Sequence, residues 1–156
     1  TAVPSAPFMA TGRIGHTQLA ALDELLTRIQ SEQLCRVVLI HHPLRSARGR
    51  WSARLTDAAA LIDILTRHGV DLVLHGHDHR HATVWFESQR GRFASIGVPS
   101  ASASLGGHHQ PAAYQLISVE RADNGQWSIT RRVRGFGGTD GIVGAMMYAG
   151  SAETSA

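Results

Sequence analysis

Asp71-Leu72-Val73-Leu74-His75-Gly76-His77-Asp78-His79 decides the reading of this chain. Leu72 to Leu74 is an apolar run of the kind that forms a buried strand. It stops at Gly76, and two imidazoles follow with one residue between them. Gly76 lacks a Cβ, so a sharp turn and a close approach to a bound ion are expected there. His77 and His79 are then free to face one centre or two adjacent ones. Upstream, Arg36-Val37-Val38-Leu39-Ile40-His41-His42-Pro43 repeats the pattern, an apolar run ending in histidine and closed by proline. Two strands that release histidines at their ends build a site along one edge of a sheet, where open α/β sheets bind ligands.

The segment between these strands fits a helix. Leu55, Ala58, Ala59, Ile62 and Leu65 share one face at helical spacing. Thr56 is a candidate N-cap and Gly69 suits the left-handed stop, with His68 in the last turn. Strand, helix, strand at this spacing is a βαβ unit, so 36–40 and 71–75 are expected to be parallel neighbours. An earlier helix is carried by Leu19, Leu22, Leu25, Leu26 and Ile29, capped by Gly15 or Thr17, after an extended entry over residues 1–11. After His79 the pattern changes. Ala82–Phe86, Arg92–Val98, Ala113–Val119 and Gln126–Val133 read as strands of an antiparallel meander, with turns at Gly91 and Asn124-Gly125. Residues 1–135 form the domain part, and the glycine- and alanine-rich residues 136–156 are expected to be a flexible tail.

Composition narrows the function. A chain of 156 residues, 43% apolar, suits one soluble domain with a real core. Its formal charge of +3 is too small and too scattered to argue for nucleic acid, and it favours an anionic substrate only weakly. Arg45, Arg48, Arg50 and Arg54 are the one basic concentration and read first as a solvated loop. The single cysteine, Cys35, excludes an internal disulfide and reads as a small core residue. No secretory pattern and no apolar run of membrane-spanning length is visible, so the expected location is the reducing cytoplasm.

Ten histidines are many for this length, and their placing carries more than their number. Neutral imidazole suits zinc, manganese and iron. His16 reads as surface and His68 as a partner of a helix end. His81 has no motif support. The paired His108 and His109, in a glycine-rich loop, are candidates for reaching substrate, or for plain exposure. His41, His77 and His79 stand apart as a constellation of metal ligands. They suit one zinc with an open water position, or the imidazole half of a two-metal site. A two-metal site needs carboxylates as well. Asp78 reads as a turn residue or an outer neighbour of the ligands, and Asp57, Asp63 and Asp71 are poorly placed.

Together these blocks resemble the last two sequence blocks of the calcineurin-like metallophosphoesterases. The strand ending His41-His42-Pro43, the strand ending Gly76-His77-Asp78-His79, the helix between them and the Gly97-Val98-Pro99-Ser100-Ala101-Ser102 stretch after them carry the likeness. It covers roughly residues 12–135 and is greatest for the bacterial branch that includes cyclic-nucleotide phosphodiesterases. The resemblance implies a four-layer α/β/β/α sandwich and two divalent or transition metal ions (manganese, iron or zinc). These activate a bridging water or hydroxide against the phosphorus of a phosphate ester. It also implies that His41 and His77 bind one metal and His79 the other. His42 becomes an outer neighbour with at most a substrate contact. The family's first three blocks, which bring the carboxylates, the asparagine and the acid histidine, are absent. The sequence therefore reads as the C-terminal half of the fold, expecting the N-terminal half of the same domain as its partner and little activity alone. Two other readings stay open, a non-catalytic or regulatory fragment and a mononuclear zinc hydrolase using His41, His77 and His79.

Overall fold

The computed structural model describes residues 10–46, 53–104 and 110–135 with their side chains, and the strand backbone at 3–4 and 142–149. His108, His109, Arg48 and Arg50 lie outside the described residues. The fold is mixed α/β, as expected from the sequence.

Helix α1 spans His16–Arg28 and α2 spans Ala58–His68. Both lie on one face of a four-stranded sheet. Its strands are β3 (Val37–Ile40), β4 (Leu72–His75), β5 (Ala82–Ser88) and β6 (Gly91–Gly97), in the order β3-β4-β6-β5. The expected βαβ unit is present: β3 and β4 are parallel, with Val37 opposite Leu72 and Ile40 opposite His75. β5 and β6 form the expected hairpin at Gly91, whose φ of 101° is one that glycine tolerates. The second half is nevertheless not one meander. The hairpin returns β6 to lie parallel to β4, inside the first sheet. The second sheet holds β7 (Ala113–Arg121), β8 (Trp127–Gly135) and β9 (Ile142–Ala149), all antiparallel. The backbone over 142–149 forms β9, which pairs along β8 from Ser128–Ala149 to Arg134–Ile142. The ladder there rests on backbone groups, which a composition of glycine and alanine does not reveal. A two-residue pairing of β1 (Val3–Pro4) with β2 (Gly12–Arg13) holds the entry segment.

Alternation along the strands divides the core in two. Val73 and Phe93 face the helices and meet Leu26, Leu61, Ile64, Leu65 and Phe86. Leu72, Ala94 and Ile96 face the other way and meet Ile129 and Ile117 of the second sheet. The layers are therefore helices, sheet, sheet. The buried stripe of α2 is Leu61, Ile64, Leu65 and His68, while Ala59, expected on that face, is exposed. Small alanines near a helix start carry little burial, so the larger residues set the orientation. The N-cap of α2 is Asp57 and not Thr56. The Asp57 carboxylate instead accepts from the backbone N–H of Ile14 and of Gly15, the N-cap of α1, at 2.8–3.1 Å. Thr56 donates its N–H and hydroxyl to the Gly12 carbonyl.

At the other end of both helices Arg36, 4% exposed, collects carbonyls. One guanidinium nitrogen donates to His68 and Gly69 at the end of α2, the other to Ile29 and Gln30 at the end of α1. Orphan carbonyls at helix ends carry partial negative charge, so one cation satisfies two helix termini together. Among the described residues strand β3 is the edge of its sheet, and it is apolar on both faces. Val38 and Ile40 pack on the helix side, whereas Val37 and Leu39, on the other, are 41% and 77% exposed. Apolar residues on both faces are the mark of an interior parallel strand.

Candidate metal centre

The strand ends bring the two histidine blocks together. Gly76 donates its N–H to the His41 carbonyl at 3.1 Å, and Val98 donates to the His75 carbonyl at 3.2 Å. The sharp turn falls on the histidines and not on Gly76. His77 and His79 have φ of 67° and 50°. A left-handed conformation costs a residue with a Cβ about 1 kcal/mol, and strain of this sort concentrates at functional sites. Asp78, buried between them, accepts the Ser46 hydroxyl at 3.0 Å and so ties the turn to the loop after Pro43.

His41 and His77 meet directly. Nδ1 of His77 and Nε2 of His41 are 3.1 Å apart, one donating and the other accepting. His42 joins them: its ring centroid lies 4.1 Å from that of His77 and 5.1 Å from that of His41. One ring nitrogen from each of the three histidines falls within 4.8 Å of the others. A tetrahedral zinc with Zn–N bonds near 2.0–2.1 Å separates its ligand nitrogens by about 3.3 Å, so the His41–His77 spacing fits a shared ion without rearrangement. His79 is exposed, outside this close group, but near enough to His41 to act on it electrostatically. Of the expected ligands, then, two are joined directly and the third stands at the rim.

The electrostatics favour neutral rings, the state that binds metal. Burial holds the His41 ring below its usual pKa, helped by His42 and His79. Burial, then His42 and His41, does the same for His77, against a hydrogen bond with the Ala53 backbone and the Asp78 charge. His75, at the end of β4 on the helix face and 5% exposed, is also pushed down by burial. An open cleft of about 640 Å³ runs beside β3 to this point, lined by Ile14, Leu22, Val38, Ile40 and His41 among others.

The remaining candidates take structural roles. Asp71 accepts the Arg36 N–H at 2.7 Å, Asp57 caps α1, and Asp63 faces Arg67 on the surface. His68 is buried and 2.5 Å from an Asp23 carboxylate oxygen, linking α2 to α1. His16 is exposed, as expected. Arg45 sits 5.5 Å over the Phe86 ring. Cys35 is half-buried against the second core, where burial pushes its thiol up to about 11, so it is an inert packing residue. Sequence reasoning placed His42 outside the ligand group. The signal for its closer role is spread over residues 10–12, where the Ala10 carbonyl and Gly12 meet its ring.

A mixed α/β sheet whose parallel strands end in a histidine cluster offers a donor set that could hold a metal ion. The family model of the calcineurin-like phosphoesterases matches residues 8–81, which include both histidine blocks. Over this segment the chain is similar to that family of phosphoesterases. No curated protein matches the chain. Among the described residues no helix is long and apolar enough to cross a membrane.

Proposed function

We propose that the chain supplies the imidazole part of a metal-dependent phosphoesterase centre, with His41, His77 and His79 as its metal ligands. The observation that carries this reading is the 3.1 Å approach of His77 to His41 at neighbouring strand ends, inside the segment that matches the family. A divalent manganese, iron or zinc ion held there would polarise a phosphoryl oxygen and lower the pKa of water. The chain's own part is to hold neutral imidazoles in place and to orient the turn through Asp78 and Ser46. His42, His108 and His109 are proposed as substrate contacts.

Two ions need more negative charge than three neutral rings provide. Among the described residues, the aspartates Asp57, Asp63 and Asp71 are committed elsewhere. Together with the exposed edge of β3, this supports completion by the N-terminal half of the same domain. That half would bring carboxylate ligands and a strand neighbour. The substrate class is a phosphate ester, a phosphodiester or a phosphomonoester. The test is hydrolysis of bis(p-nitrophenyl) phosphate and p-nitrophenyl phosphate by this chain with manganese, iron or zinc, alone and with the complementing half. Metal-dependent turnover that rises on complementation is expected. A complemented protein that binds metal yet hydrolyses neither ester overturns the reading.

A further inference from the structure

Arg54 closes the basic stretch Arg45, Arg48, Arg50 and Arg54, and the fold sets it beside Arg13. Gly12 and Leu55 form a parallel bridge. The Gly12 N–H donates to the Arg54 carbonyl at 3.1 Å, and the Thr56 N–H donates to the Gly12 carbonyl at 2.8 Å. Side chains alternate across such a ladder. Its inner side holds Leu55, 3% exposed, and Gly12, where an added Cβ would run into the His42 ring. Arg13 and Arg54 share the outer side, and both are exposed. They stand on a diagonal of the ladder, about 7–8 Å apart at the backbone, a gap that long side chains close.

This ladder is one wall of the histidine cluster. Gly12 lies against the His42 ring, and the backbone of Ala53, next to Arg54, bonds the His77 ring. The wall brings no negative charge of its own. The sequence has no aspartate or glutamate over residues 1–22 or 33–56. Asp57, the next acid along, is turned to the N–H groups of Ile14 and Gly15. Among the described residues neither guanidinium meets a carboxylate. Two like charges at this range repel each other unless an anion lies between them, and the planar guanidinium fork matches phosphoryl oxygens.

We propose that Arg13 and Arg54 form an anion subsite beside the metal centre, which takes a second phosphate group carried by the phosphate-ester substrate. The substrate part of this rests on the phosphoesterase reading above. The anion part rests on the ladder and its charges.

The test begins with the whole chain, free of metal, at low ionic strength. Inorganic pyrophosphate is titrated in, and the arginine Nε–H resonances are followed by NMR. Saturable shifts at Arg13 and Arg54 are expected. Arg13→Gln or Arg54→Gln should weaken pyrophosphate binding about five-fold, the upper range for one exposed ion pair. Arg28→Gln removes the same charge at the other end of α1 and should leave the affinity within two-fold. Equal weakening by all three substitutions, or shifts spread over all arginines, would show a general electrostatic attraction and overturn the subsite. Neither result would touch the phosphoesterase reading. In the complemented, metal-loaded protein, Arg13→Gln and Arg54→Gln should raise KM for a short diol bisphosphate about five-fold more than KM for p-nitrophenyl phosphate. Equal rises for both esters overturn the substrate assignment. Absence of any hydrolysis, with the pyrophosphate result intact, overturns the phosphoesterase reading and the substrate assignment with it, and leaves an anion site.

Discussion

His77 Nδ1 lies 3.1 Å from His41 Nε2 across two strand ends that are 36 residues apart in sequence. The contact exists because β3 and β4 are in parallel register and both stop at the same level of the sheet. The left-handed turn at His77 then swings its ring back over the end of β3. A proton bridges the two nitrogens where an ion would replace it.

His77→Ala removes one side of that bridge at a half-buried strand end and not in the core. Loss of a group that merely orients a ligand costs about 10–100-fold in metal affinity, so loss of a ligand is expected to cost more than about 100-fold. Melting of the metal-free protein should hardly change, since alanine removes the ring and keeps the backbone. Zinc titration followed calorimetrically measures the affinity, and hydrolysis by the complemented protein should fall with it. Affinity within a few fold of wild type would remove His77 from the site.

Acid should destabilise the metal-free protein in a defined window. His41, His75 and His77 are all held below the usual imidazole value of 6.5, in each case chiefly by burial. The unfolded chain therefore binds more protons than the folded one as pH falls past 6.5. Stability from these groups is complete above that value and is lost as pH drops through the depressed folded values. Urea midpoints from pH 8 to 5 should be flat at first and then decline. His75→Phe should reduce the decline, because that ring is the most enclosed of the three. A midpoint that rises on acidification would contradict the sign.

What was legible in the sequence was whatever repeats locally. The apolar runs ending at His41 and His75, the helix between them and the Gly91 and Gly125 turns all appear within a residue or two. The buried face of α2 was legible in part, since Leu65 is buried and Ala58 and Ile62 pack against the core as expected, while Ala59 is exposed and Leu61 and Ile64 are buried beside them. The return of β6 to β4 and the pairing of β9 are long-range choices that hairpin signals do not encode. At the site, the His41 and His77 blocks could be found by motif. The enclosure of His42 could not, because it depends on Ala10 and Gly12, some thirty residues upstream. The positive φ of His77 and His79 was likewise hidden behind the neighbouring glycine.

Arg36 should be the most sensitive position away from the histidines. Its guanidinium donates to four carbonyls, at 2.8–3.2 Å, from the ends of two helices. Arg36→Met leaves those carbonyls buried without donors, at a cost of about 3 kcal/mol. Arg36→Lys should recover less than half, because one ammonium cannot match the planar fork that reaches both termini. Equilibrium urea unfolding gives both values. A loss below about 0.5 kcal/mol for Arg36→Met would mean that water serves these carbonyls equally well.

Leu39 tests the open edge. It is 77% exposed on a four-residue apolar strand whose outer backbone groups have no neighbour in the described sheet. Such an edge invites pairing with other chains, and a lysine there is a common natural guard. Because the side chain is already in water, Leu39→Lys should change folding stability by less than about 0.5 kcal/mol. It should lower concentration-dependent self-association, read by light scattering across a dilution series. In the complemented protein the same substitution should weaken assembly, since Leu39 would there lie inside the sheet. Equal assembly of wild type and Leu39→Lys would show that this edge is not where the domain is completed.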